Sequence, residues 1–301
     1  MMKTIRLAAA LILAAAMLLS LSACSGTPEA SKEAASSEAS VPEASIPEIS
    51  APDASVSEAS GPDASVSEEE ASEPMAELSD ELHAAIQQAA PSPEWVTKLD
   101  AAQNQETKQL FVVAGISMNT TTATISMHQR DENGQWMQLL STPGYVGKNG
   151  LCLDEDHAEG CGQTPVGTYH FNKAFGIAAD PGTVFDYIQV TDDTYWSGDA
   201  REGMHYNEMV DIKDFPDLDM TDSEHIVDYE YQYQYCLNIS FNEDGTPGRG
   251  SAIFLHCLGP VKPWTGGCVA VPEYIMKLIL QNVDPECVVV IDTAENLGVT
   301  F

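Results

Sequence analysis

Ser251-Ala252-Ile253-Phe254-Leu255-His256, followed after a loop containing Gly259 and Pro260 by Thr265-Gly266-Gly267-Cys268-Val269-Ala270, is the stretch on which the reading of this chain turns. Its first half is a short apolar run of β-formers ending on a histidine, the pattern of a strand that delivers an imidazole to its end. Beyond the cysteine, Pro272 suits the first turn of a helix over residues 273–281, where Tyr274, Ile275, Leu278 and Ile279 share a face. A cysteine just ahead of a helix N-terminus is expected to have its thiolate favoured by the helix dipole and by unpaired backbone N–H groups. Gly266 and Gly267 let the backbone approach a substrate carbonyl closely, and the N–H groups of Gly267 and Cys268 are the candidates for an oxyanion hole. His256, twelve residues before Cys268, is the candidate base that takes the thiol proton and returns it to a leaving amine.

The order of these two residues narrows the chemistry. Papain-like peptidases place Cys well before His, opposite to this chain. Sortases run His then Cys but need an arginine shortly after the cysteine, and no arginine follows Arg249. His256, Cys257 and Cys268 lack tight ligand pairs such as C-x2-C, so neither a metal nor another cofactor is expected. Weaker substrate-binding candidates are Arg249, Ser251, Tyr206 and Trp196. Arg249 reads as a partner for a substrate carboxylate or as a solvated charge. Trp196 and Tyr206 stand in a polar, irregular segment and read as cleft walls or as ordinary packing. A backbone carbonyl or Ser251 is the candidate for orienting His256.

Outward from this stretch the pattern is mostly β. Residues 110–113, 122–127 and 136–140 read as consecutive strands, and 185–190, 231–241, 251–256 and 287–291 as later ones. A short helix is expected at 79–91, with Ser79 as N-cap and an end before Pro91, and a second over 95–102. Residues 92–301 therefore read as one mainly β domain with a few helices, long enough for a full core.

The first quarter of the chain cannot build a core. Lys3 and Arg6 precede an apolar run at 7–19 that is short for a membrane span, and Leu21-Ser22-Ala23-Cys24 resembles the lipobox of bacterial lipoproteins. The expectation is a signal peptide at 1–23, lipidation of Cys24, and a membrane anchor through that lipid. Residues 24–78 are a Ser/Glu/Ala/Pro tether whose like charges repel and whose apolar content is too low to offset its conformational entropy. With 46 acidic and 13 basic residues the net charge is −33, which excludes nucleic acid as a partner. Cys152 and Cys161 lie in a polar loop and could close a small disulfide outside the cell, whereas Cys236, Cys257 and Cys287 sit in apolar runs as buried thiols.

Four segments together resemble the L,D-transpeptidase catalytic-domain family. Tyr145-Val146-Gly147-Lys148-Asn149-Gly150 is followed by Gly162-Gln163-Thr164-Pro165-Val166-Gly167-Thr168-Tyr169, similar to the family's Gly-x-x-Thr-Pro-x-Gly-x-Tyr/Phe signature. Arg249 to His256 is similar to its histidine strand, and Thr265-Gly266-Gly267-Cys268-Val269-Ala270 to its nucleophile loop. The chain departs from many members in Gly266, where they carry a histidine, in a shorter His-to-Cys spacing, and in having no arginine after the cysteine. The resemblance implies a β-sandwich of mixed sheets with a few helices. It implies a cysteine acyltransferase that cleaves the L-residue–D-Ala bond of peptidoglycan stem peptides and passes the acyl group to an amine, giving a 3→3 cross-link, or to water. A wall amidase or carboxypeptidase without transfer, or a non-catalytic wall-binding lipoprotein, is the alternative. Either way the protein is expected outside the cytoplasm, anchored at the membrane and reaching the wall.

Overall fold

A computed structural model describes residues 90–299. The signal peptide, lipidated Cys24, tether and residues 79–89 of the first helix expected from the sequence lie outside them. Ala90–Pro91, at the end of that helix reading, form a strand, β1. Two single-turn helices follow, α1 (Glu94–Thr97) and α2 (Asp100–Gln103), where the sequence suggests one; Leu99 between them is extended, with φ −62° and ψ 139°. The break lets each turn direct one buried residue, Val96 and Ala102, onto the same sheet face.

The strands are β2 (Gln109–Gly115), β3 (Thr122–Arg130), β4 (Trp136–Tyr145), β5 (Leu151–Leu153), β6 (Thr164–Gly176), β7 (Tyr187–Gln189), β8 (Thr194–Trp196), β9 (Met209–Asp211), β10 (Glu224–His225), β11 (Cys236–Ile239), β12 (Phe254–Cys257), β13 (Val269–Val271) and β14 (Val288–Thr293), with α3 (Glu273–Asn282) ahead of the last. The main sheet runs β1-β4-β13-β12-β11-β6-β14-β2-β3, and β3 pairs again with β4, so the order returns on itself. The sheet is mixed, since β12–β13 and β14–β2 are parallel while β2–β3, β3–β4 and β11–β12 are antiparallel. A separate three-stranded sheet has the order β10-β8-β9. The fold is thus mainly β, with mixed sheets and few helices, as the sequence reads.

Side-chain alternation explains how one ribbon serves two cores. Every residue of β2 is buried. Phe111 and Val113 point into the central core with Ile125, Phe171, Leu237, Val289 and Ile291, while Leu110, Val112 and Ala114 point the other way, onto Val96, Ala102 and Trp136. Full burial of a side chain such as Phe111 stabilises the fold by about 1.5–3 kcal/mol. The amphipathic α3 closes the central core with Ile275, Met276, Ile279 and Leu280.

Two readings near the key stretch need correction. Residues 251–253 are not strand; β12 begins at Phe254, and Ala252 has φ 55°, a left-handed conformation costly for a residue with a Cβ. Cys268 does not lead into a helix. It leads into β13, and Pro272 caps α3 only after that strand.

Candidate active site

The parallel pairing of β12 and β13 sets the geometry. Leu255 is in register with Val269 and His256 with Ala270. Leu255, Cys257, Val269 and Val271 fill the central core, so the alternate residues Phe254, His256 and Ala270 face the other side. Cys268, one position before Val269, comes out on that same side, and its sulfur accepts the Phe254 N–H at 3.3 Å. The candidate nucleophile and base thus stand on one face of adjacent strands, two residues apart in register.

Both side chains line one cleft of about 500 Å³, together with Gly266, Gly267 and Ser251. The Nδ1 of His256 is 2.7 Å from the Cys257 carbonyl. A carbonyl only accepts, so Nδ1 carries the hydrogen and Nε2 is left with its lone pair for a proton. The orienting group is therefore this backbone carbonyl, whereas the Ser251 hydroxyl donates to Glu159 Oε2 at 2.9 Å. Burial pulls His256 down to about 4, so it is neutral at rest.

Cys268 is also neutral at rest. It is 6 % exposed, and its S–H donates to the Ala252 carbonyl at 3.1 Å; among the described residues no hydrogen bond joins it to His256. Burial, then the nearby Glu224 carboxylate, push the thiol far above its usual range, against the pull of the Phe254 N–H and the Tyr233 hydroxyl. β13 separates Cys268 from the start of α3, so the helix N-terminus expected to favour its thiolate does not adjoin it. Of the expected oxyanion donors, the Gly267 N–H is held by Thr265 Oγ1 at 3.2 Å.

The loop carrying Cys268 is fixed by a residue of the second motif. Thr164 Oγ1 accepts the Gly147 N–H at 2.9 Å and faces the carbonyls of Gly267 at 2.6 Å and Cys268 at 3.2 Å. Thr265 Oγ1 donates to the Cys268 carbonyl at 2.6 Å, and Gly147 bridges to Thr265. Three of the four segments that carry the resemblance therefore meet at one buried hydroxyl. Gly266 is different: a Cβ there would meet nothing within 4 Å, so the missing side chain leaves open space in the cleft.

The weaker candidates separate. Ser251 lines the cleft. Trp196 is core, 2 % exposed, stacked on Phe175 at 5.9 Å and edge-on to Phe254 at 4.8 Å, with its indole N–H donated to Asn207 Oδ1 at 3.0 Å. Tyr206 is buried beside the cleft and donates its hydroxyl to Glu159. Arg249 lies across the Phe241 ring and is paired to Asp154, so it is not a free cation for a substrate.

Two cleft residues were not singled out from sequence. Tyr233 lies edge-on to His256, ring centroids 5.4 Å apart, and donates its hydroxyl to Glu224 Oε2 at 2.7 Å. Burial, opposed by that bond and helped by Glu159, raises Glu224 to about 7. Both come from segments of acidic and aromatic residues where no spacing marks one residue above its neighbours.

No family model and no curated protein matches the chain. Among solved structures, it is similar to the helical cell shape determining protein Pgp2 from Campylobacter jejuni at 12 % identity and TM-score 0.32, covering 62 % of this chain and 48 % of that one. The K307A mutant of the same protein gives 14 % identity and TM-score 0.33, over 67 % and 57 %. The Ldtfm-avibactam carbamoyl enzyme gives 12 % and 0.28, over 62 % and 49 %. The chain thus spans about half the length of these structures.

Proposed function

We propose that the protein is a cell-wall cysteine acyltransferase of the L,D-transpeptidase kind, with Cys268 as nucleophile and His256 as base. The observation that carries this reading is the shared face of β12 and β13, which brings Cys268 and His256 into one cleft, with His256 Nδ1–H held by the Cys257 carbonyl and Nε2 left free. Substrate binding draws the S–H of Cys268 away from Ala252 O toward Nε2. The sulfur then attacks the carbonyl of the stem's L-centred residue as its proton passes to His256. Because the resting thiol is neutral, proton transfer accompanies attack and does not precede it. The imidazolium protonates the leaving D-alanine, and an amine of a second stem or water resolves the thioester. The developing oxyanion takes the Gly267 N–H from Thr265 Oγ1 and is joined by the Cys268 N–H. A lipid on Cys24 and the acidic tether hold the domain within reach of the wall.

The test is product analysis with a tetrapeptide stem ending in D-alanine, with and without an amine acceptor. Released D-alanine with a cross-linked product supports acyl transfer, and release without cross-link in the presence of acceptor supports the carboxypeptidase reading. No release at all favours the non-catalytic reading, which the burial of Cys268 at rest would then explain.

A further inference from the structure

Away from Cys268, a second group of soft ligands gathers at the edge of the cleft. Cys152 on β5, His157 and Cys161 each bring one donor atom, and these atoms all lie within 4.8 Å of one another. Cys152 and His157 are buried, and both cysteines are free thiols. The spacing is C-x4-H-x3-C, so one short loop supplies all three groups and little chain entropy is lost in bringing them together.

The histidine points to a ligand. Its Nδ1 is 2.9 Å from the Arg249 carbonyl and its Nε2 is 3.1 Å from the Gln163 carbonyl. A neutral imidazole has one N–H and so serves one of these carbonyls; the other nitrogen faces its carbonyl through a second proton or a metal ion. The Nδ1 contact has the form of the outer hydrogen bond that fixes a metal-ligating histidine. At the other nitrogen, Cys161 Sγ accepts the Gln163 N–H at 3.4 Å and stands 4.0 Å from the Gln163 carbonyl. Imidazole, carbonyl and thiol thus converge.

We propose that Cys152, His157 and Cys161 form a structural site for a thiophilic divalent cation of the zinc class, with the Gln163 carbonyl or a water as fourth ligand. Zinc bonds of about 2.0–2.3 Å set tetrahedral edges that these donors reach by closing roughly 1 Å. Binding displaces the two thiol protons to solvent. The cation would tie the end of β5 to the loop carrying Glu159, which holds Ser251 and Tyr206, and so would brace one wall of the cleft without entering the reaction.

The test is metal content of the full chain purified without chelator or reductant, followed by cobalt substitution. About one equivalent of zinc per chain is expected after gel filtration, with a thiolate-to-cobalt charge-transfer band in the substituted protein. Cys161→Ser, Cys152→Ser and His157→Gln should each lower metal affinity at least about tenfold. If a variant does not fold, the cobalt spectrum of the unaltered chain decides alone. A chain two hydrogens lighter, with Cys152 linked to Cys161 and no metal, overturns the proposal, as does a metal-free chain in which both thiols react freely.

Discussion

Cys268 and His256 are both held neutral by burial, which changes what each substitution should do. Cys268→Ala should abolish turnover while shifting stability by less than about 1–2 kcal/mol, since little volume is removed; turnover assays and urea melts check both halves. His256 and Glu224 oppose one another in their effect on stability against pH. His256, lowered to about 4, contributes stability that is present above its ordinary 6.5 and lost as pH falls toward 4. Glu224, raised to about 7, contributes stability that is present below its ordinary 4.5 and lost as pH rises through 7. Each amounts to about 3 kcal/mol, so between pH 4.5 and 6.5 the two slopes cancel. In Glu224→Gln, stability should therefore rise from pH 4 to 6.5, and in His256→Gln it should fall from pH 4.5 to 7. Urea midpoints across that range that stay flat in both variants would contradict the assignment.

At the scale of elements, the join between β6 and the loop at 265–268 is what keeps Cys268 in register. Thr164 is fully buried, and its hydroxyl serves the Gly147 N–H and the Gly267 carbonyl. Thr164→Val keeps the shape but leaves buried polar groups unpaired, and should cost about 1–3 kcal/mol. Activity should drop further than stability alone explains, because the loop loses its support; Thr164→Ser should restore both. The sequence exposes β2, β3, the start of β4, α3 and β14 because their apolar periodicity is strong. It conceals β6, the longest strand, because Pro165, Gly167, Asn172 and Lys173 interrupt any run, and the strand is fixed by pairing with β14, β11 and β5 and not by composition. The three residues of β13 are hidden between a glycine turn and Pro272, and missing them brought Cys268 too close to a helix whose start at Glu273 was read correctly.

Across the whole molecule, the meeting of Cys268 and His256 in one cleft was legible because motif order in the chain survives any error in element boundaries. Trp196, Tyr206 and Arg249 were not, because a buried aromatic and a cleft aromatic have the same letters, and only packing separates them. Glu224 and Tyr233 carry no motif at all. Residues 24–78 read as a tether from composition alone; on that reading and the proposed acyl transfer, deleting residues 30–75 should leave activity on soluble fragments unchanged while reducing cross-linking of intact wall, since reach is lost and chemistry is not. Equal loss on soluble fragments would give the acidic segment a part in the site. The central claim is that Cys268 forms the acyl-enzyme with His256 as its base, and intact mass after rapid quenching with a tetrapeptide stem tests it most directly. One acyl adduct per chain is expected, mapped to Cys268, absent in Cys268→Ala and formed far more slowly in His256→Ala. An unmodified chain, or an adduct on Cys161 with Cys268 free, would contradict it.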